Sequence, residues 1–119
     1  MEQRIIEVND QHIVEYISGE IEIRSAQDAL DLMADAGSRG IRDLIVHEKN
    51  IIPDFFDLRT GLAGEILQKF SNYDMRLSIV GDFSKHNSKS LAAFIAECNR
   101  GIRVFFVPDT DTAARKLTR

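Results

Sequence analysis

The chain has 119 residues, 44% of them hydrophobic, and its 15 basic and 19 acidic side chains give a net charge of -4. This length suits one domain, and the hydrophobic content is enough for a core, which excludes a disordered chain. The negative charge speaks against nucleic-acid binding, which needs a basic face. There is no apolar run of membrane-spanning length, no secretion-signal pattern at the start, and only one cysteine. We therefore expect one cytoplasmic domain of bacterial type over residues 1–119.

The chain begins with a predicted β-hairpin. Residues 4–8 and 12–17 alternate apolar and polar side chains on either side of the turn signal Asn9-Asp10. Glu7 and Glu15 fall opposite their apolar neighbours. We therefore expect part of one face of the hairpin to be solvated.

Helices and strands alternate after the hairpin. Ser25, with Asp28 three residues on, is a helix N-cap signal and predicts a helix over residues 26–36. Nearly continuous apolar runs predict buried strands at residues 44–46, 75–81 and 102–107. Apolar side chains at helical spacing predict three further helices, from Leu62 to Phe70, after Ser88 and after Thr110 or Asp111.

The predicted order is strand-strand-helix, followed by strand-helix three times. This alternation predicts a single-domain α/β fold with a mostly parallel five-stranded sheet and right-handed βα crossovers. If all crossovers return on one side, the other face of the sheet lacks helices. A homodimer that covers this face is then an alternative to a monomer.

The order of strands and helices, on a chain of this length, resembles the STAS fold, and the local match lies in the segment from Asp54 to Tyr73. In bacterial anti-sigma-factor antagonists, which have the STAS fold, a strand leads to Asp-Ser-Ser-Gly-Leu-Gly and an apolar helix. A partner kinase phosphorylates the second serine of that motif. Leu58-Arg59-Thr60-Gly61-Leu62-Ala63 stands in the corresponding place, with Thr60 as the phosphoacceptor. Leu58 and Arg59 depart from the acidic residue and the first serine of the pattern.

Most of the chain is also similar to a bacterial family of unknown function, number four-one-eight-zero. The similarity rests on five short motifs: Phe55-Phe56-Asp57-Leu58, Ala63-Gly64-Glu65, Gln68-Lys69-Phe70, Val80-Gly81-Asp82-Phe83 and Asn99-Arg100-Gly101. This resemblance implies a STAS-like fold and no known activity.

The first functional hypothesis is a non-enzymatic regulatory module that binds a kinase-like or anti-sigma-like protein at the start of the central helix. A phosphate on Thr60 would meet free backbone N–H groups there, helped by Arg59, whereas the alternative is that Thr60 only caps the helix. One of Phe55 and Phe56 is expected to face the partner, and the alternative is that both pack over the sheet. The residues predicted to contact the partner are Phe55, Phe56, Asp57, Arg59, Gly61 and Gly64.

The second hypothesis is a small-ligand binding protein or an enzyme that binds an anion or an acyl group at the same edge. His47 and Glu48 follow the central strand, where open α/β sheets place their ligands, and Ser88 and Arg100 are further candidate ligand contacts. Adjacent strand residues point to opposite faces, which speaks against a catalytic His47-Glu48 pair. The other two histidines lie in unrelated segments and form no metal-ligand pattern with Cys98. We predict no metal and no other cofactor.

Overall fold

A five-stranded sheet forms the centre of the structure, a computed structural model that describes residues 1–119. The strands lie side by side in chain order: β1 (Glu2–Val8), β2 (Gln11–Ile17), β3 (Asp43–His47), β4 (Arg76–Val80) and β5 (Val104–Val107). β1 runs antiparallel to β2, and every later pair of neighbours is parallel. The predicted α/β class and the mostly parallel five-stranded sheet are confirmed.

Four α-helices accompany the parallel strands: α1 (Ala26–Ser38), α2 (Leu62–Asn72), α3 (Lys89–Arg100) and α4 (Thr110–Leu117). The side chains of Ser25, Ser88 and Asp109 cap α1, α3 and α4 by accepting hydrogen bonds from backbone N–H groups of the first turn. The predicted cap of α4, Thr110 or Asp111, is wrong by one or two residues. Thr110 and Asp111 already lie within α4, whereas Asp109 before it has an extended backbone, at φ -153°, and a side chain that accepts from the N–H of Thr112. None of the helices is long and apolar enough to cross a membrane.

Helices cover both faces of the sheet, but unequally. Side chains of α1, α2 and α3 pack on one face and form the larger hydrophobic cluster with Val14 and Leu44 of the sheet. On the other face α4 lies alone, and its Ala113 and Leu117 pack against strand residues that include Ile45. A homodimer is therefore not needed to cover a bare sheet face.

Two acidic side chains are buried beneath α4. Glu15 and Asp43 are each 2% exposed. The expectation that Glu15 lies on a solvated face is wrong, because its face of the sheet is the one that α4 covers. Asp43 accepts a hydrogen bond of 2.8 Å from Gln11 and lies 3.6 Å from the guanidinium of Arg76. Glu7, at the turn end of the hairpin, is exposed as expected.

Candidate functional site

The loops that follow β3 and β4 meet at one edge of the sheet and form the candidate site. After β3 the chain makes three 3-10 turns, at Glu48–Asn50, Pro53–Phe56 and Leu58–Thr60, before α2 begins. After β4 a further 3-10 turn, Phe83–Lys85, leads to α3. Carboxyl ends of parallel strands are the usual place for ligands in open α/β sheets.

An open groove of about 530 Å³ separates the two loops. We call it the α2–α3 groove, and its walls are Phe56, Asp57, Leu58, Arg59, His86, Asn87, Ser88 and Ser90. Three of the predicted partner contacts thus share one groove with the predicted ligand contact Ser88.

Both phenylalanines of the first loop are buried. Phe55 is 1% exposed and Phe56 is 7% exposed. The ring of Phe55 lies 4.9 Å from that of Phe56 and 6.4 Å from that of Phe106, measured between centroids. The structure thus has the alternative arrangement, in which both rings pack over the end of the sheet. Phe56 still forms part of the groove wall, whereas Phe55 lies wholly within the core.

A buried carboxylate holds a histidine in the groove wall. Glu48 is 8% exposed, and its Oε2 lies 2.6 Å from Nε2 of His86. Its other oxygen lies 3.1 Å from Nζ of Lys85. The imidazole of His86 stacks on the ring of Phe56 with centroids 4.9 Å apart and an angle of 19° between the planes. The orientation of His86 is therefore determined from two sides.

The Glu48–His86 pair depends on Gly81 at the end of β4. A Cβ atom at Gly81 would lie 2.5 Å from Oε1 and 2.6 Å from Cβ of Glu48. Because glycine has no side chain, the side chain of Glu48 can occupy the space beside residue 81.

His86 is not among the predicted ligand contacts, because His86 and Glu48 lie in segments 38 residues apart in the chain and no local pattern joins them. The second hypothesis does expect the loop from Gly81 to Ser88, which contains His86, to approach this edge. The order of the strands could have predicted the contact of His86 with Glu48, because neighbouring parallel strands bring the loops that follow them together. In the β3–β4 register His47 pairs with Val80. The residues that follow them, Glu48 and Gly81, are therefore neighbours as well.

His47 does not reach the α2–α3 groove. Its Nε2 lies 2.7 Å from Oε2 of Glu15 on the sheet face that α4 covers. The hydroxyl of Thr110 donates to the same carboxylate oxygen at 3.2 Å, and Nε of Arg4 lies 3.7 Å from the other oxygen. His47 and Glu48, predicted as ligand contacts together, therefore belong to two separate clusters.

Ser88 and Arg100, the other predicted ligand contacts, lie at opposite ends of α3. The hydroxyl of Ser88 accepts a hydrogen bond of 3.2 Å from the backbone N–H of Leu91 as the cap of the helix. Arg100 is the last residue of the helix, about 18 Å away at the rise of an α-helix. It pairs with Glu97 one turn earlier. The structure therefore does not bring Arg100 to the groove.

Asp57 and Arg59 form a hydrogen-bonded pair at the surface. Nε and Nη2 of Arg59 donate to the two carboxylate oxygens of Asp57 at 3.0 and 2.9 Å. These hydrogen bonds lower the pKa of Asp57 below its ordinary value and raise the pKa of Arg59. The pair is the exposed, charged part of the groove wall.

Thr60 is exposed, but its hydroxyl is engaged within its own loop. The Oγ1 atom lies 2.8 Å from the carbonyl oxygen of Asp54 and 2.9 Å from that of Asp57, and it accepts a hydrogen bond of 3.2 Å from the N–H of Leu62. Gly61, in the left-handed conformation with φ 78°, takes the N-cap position of α2. The predicted cap is thus displaced by one residue, although Thr60 still satisfies the first N–H group of the helix.

The two glycines predicted as contacts, Gly61 and Gly64, are exposed but are not part of the groove wall.

No group of three or more histidine, cysteine, aspartate or glutamate side chains is arranged to bind a metal ion. Burial raises the pKa of the Cys98 thiol, which packs against the larger core cluster.

The fold and its groove define a small α/β domain with an open polar cleft at the carboxyl edge of the sheet. Residues 8–117 match the family model described as Domain of unknown function (DUF4180), and the chain belongs to this family. This is the family that the short motifs indicated. No curated protein and no solved structure matches the chain.

Proposed function

We propose that the chain is a non-enzymatic, STAS-like regulatory module that binds a protein partner along the α2–α3 groove. The observation that carries the proposal is the exposed corner Asp57–Thr60, which contributes three residues to the groove wall and ends in a hydroxyl residue beside α2. The order of strands and helices supports the STAS-like part, because it is the order that the resemblance to anti-sigma-factor antagonists implies. The proposed partner is a kinase-like or anti-sigma-like protein of the bacterial cytoplasm.

The chemistry of the groove suits a protein surface. Phe56 and Leu58 supply apolar surface, and the side chain of Arg59 is 91% exposed. A mixture of apolar area, arginine and hydrogen-bonding groups is typical of protein interfaces. The Ser88 hydroxyl is already engaged as a helix cap, which favours binding over nucleophilic catalysis.

Phosphorylation of Thr60 supplies the proposed switch. A phosphoryl group replaces the hydroxyl proton that now bonds within the loop and adds about two negative charges beside the backbone carbonyl oxygens of Asp54 and Asp57. The phosphate competes with Asp57 for Arg59, the cation that Asp57 now binds. The corner Asp57–Thr60 then rearranges, and one wall of the groove changes shape and charge.

Substitution of Thr60 tests the switch. Thr60→Val is isosteric and adds no charge, although it gives up the hydrogen bonds of the hydroxyl within the loop. We expect this variant to retain the partner and Thr60→Glu to weaken binding by roughly tenfold. The measurement is affinity capture from a lysate of the host with identification of a kinase-like or anti-sigma-like protein, followed by titration of that protein.

A charge-matched control separates the effect of a negative charge at position 60 from that of a negative charge elsewhere on the chain. Gln68→Glu adds one negative charge to an exposed position of α2 outside the groove and should leave binding unchanged. Equal binding by Thr60→Glu and Thr60→Val, together with no phosphate on Thr60 in cells at any growth phase, would rule out the switch.

A second candidate function is the binding of a small anionic or acyl ligand in the same groove. The volume of about 530 Å³ lies within the range of small-molecule sites, and Arg59 and His86 line its walls. With inorganic phosphate and acetate as probes, we expect saturable amide shifts at His86, Asn87 and Ser88 in ¹H–¹⁵N spectra. Arg59→Gln should abolish the shifts, whereas unchanged spectra at millimolar probe would exclude this function.

A further inference from the structure

The two edge strands of the sheet, β1 and β5, differ in whether their outward-pointing backbone groups have hydrogen-bond partners. At β5 the side chain of Asn99 accepts a hydrogen bond of 2.8 Å from the N–H of Phe106 and donates one of 3.1 Å to its carbonyl oxygen. This amide takes the place that a further strand would have. β1, at the other edge, has seven residues and no neighbouring strand on its outer side. A long uncovered edge strand is a template for pairing with another chain.

The hairpin turn determines which backbone groups of β1 are free. The turn residues Asn9-Asp10 have φ values of 50° and 67°, as in a two-residue type I′ turn. In such a hairpin the flanking residues, here Val8 and Gln11, exchange both N–H···O bonds, and the bonding then alternates along the strand. The residues of β1 whose N–H and C=O groups point outward are therefore Gln3, Ile5 and Glu7.

We propose that β1 pairs antiparallel with β1 of a second copy of the chain, so that the two sheets become one. A two-fold axis normal to the sheet at Ile5 sets Ile5 opposite Ile5 of the second copy, and Gln3 opposite Glu7 in both directions. This register pairs every outward-pointing residue of β1 with another outward-pointing residue. A shift of two residues in either direction leaves some of these backbone groups without a partner.

The side chains of β1 support a second copy as the occupant. Ile5 is 44% exposed, one of four large apolar side chains that remain exposed in the chain. In the proposed register two copies of this side chain cover each other. The amide of Gln3 can donate to the carboxylate of Glu7, whose Oε2 lies 3.2 Å from His12 of its own hairpin. On the face of β1 that carries Gln3, Ile5 and Glu7, polar and apolar side chains thus meet their complements. On the other face Arg4 lies opposite Ile6 of the second copy, so this face adds no matched pair.

The dimer places its binding surfaces far apart. Rotation about an axis normal to the sheet reverses the direction of the strands and preserves the faces. The two α2–α3 grooves therefore lie at opposite ends of the joined sheet, and each remains open to its own partner. The dimer rests on β1 alone and does not depend on the proposed function of the groove.

Two opposite substitutions of Gln3 test the register. In the hairpin Gln3 lies opposite Tyr16, and within one chain it is four residues from Glu7, so the monomer should tolerate either charge. In the dimer Gln3→Glu sets two pairs of like charges opposite each other, and Gln3→Lys sets two pairs of opposite charges. We expect the dimer dissociation constant to rise roughly tenfold for Gln3→Glu and to fall roughly tenfold for Gln3→Lys, as measured by sedimentation equilibrium.

Amide hydrogen exchange of the unmodified chain provides a second measurement. The amides of Ile5 and Glu7 should exchange more slowly as concentration rises, whereas the amides of Arg4 and Ile6, bonded to β2, should show no such dependence. A chain that stays monomeric at millimolar concentration overturns the proposal. So does a dimer whose dissociation constant is the same in both Gln3 variants.

Discussion

Phe55→Ala should lower the free energy of unfolding by about 4 kcal/mol. The side chain is 1% exposed, and its ring packs against Phe56 and Phe106 at the end of the sheet. Truncation removes the transfer free energy of the ring and leaves a cavity, because the surrounding helices and strands can close it only in part. For a domain of this size we expect the melting temperature to fall by about 15 °C.

Urea denaturation followed by far-UV circular dichroism measures this loss. Tyr73→Ala is a matched control, because it removes an aromatic ring that is 58% exposed and should change the stability by about 0.5 kcal/mol or less. A loss below about 1 kcal/mol for Phe55→Ala would contradict the buried position. It would also restore Phe55 as a candidate partner contact.

The burial of Phe55 changes which residues can test partner binding. A variant at this position that loses binding would report a damaged core and not a lost contact. Arg59 is a better choice, because its side chain is 91% exposed and its only polar partner is Asp57. Loss of binding in Arg59→Ala without loss of stability would indicate a direct contact.

The fold follows from local patterns in the sequence. Apolar runs at Leu44–Val46 and Leu77–Val80 and the helical stripe that contains Ile66 and Phe70 each reflect a burial that repeats within one element. Such periodicity does not depend on which other segment of the chain packs against the buried side of the element. It therefore predicts the α/β class, the strands and the helices, while the helix caps are predicted to within one or two residues.

The site depends on contacts between segments that are distant in sequence, and these are not visible in local patterns. Glu15 lies in an alternating strand, and only the return of α4 to its face turns a solvated position into a buried one. Likewise, His86 belongs with Glu48 only because the loops after β3 and β4 are neighbours. The segment around Thr60, which the resemblance singled out, lies at the carboxyl edge of the sheet, although Phe55 within it is part of the core.

Gly81→Ala should both destabilise the domain and release His86 from the groove wall. The added methyl group would lie 2.6 Å from Cβ of Glu48, which is fixed to the backbone and cannot swing away as the end of a long side chain can. The loop after β3 must then shift, and the carboxylate of Glu48 moves off His86. Overpacking together with the loss of a buried charged hydrogen bond should cost about 3 kcal/mol.

Gly64→Ala is the control for this substitution, since a Cβ atom there meets nothing within 4 Å and the residue lies in α2. It should raise the stability by about 0.5 kcal/mol, because alanine is the better helix former. The imidazole ¹H and ¹⁵N shifts of His86 should change in Gly81→Ala and stay as they are in Gly64→Ala. If Gly81→Ala keeps both the stability and the His86 shifts, Glu48 does not fill the space beside Gly81. The groove wall would then need another support for His86, since Phe56 restrains the ring by stacking alone.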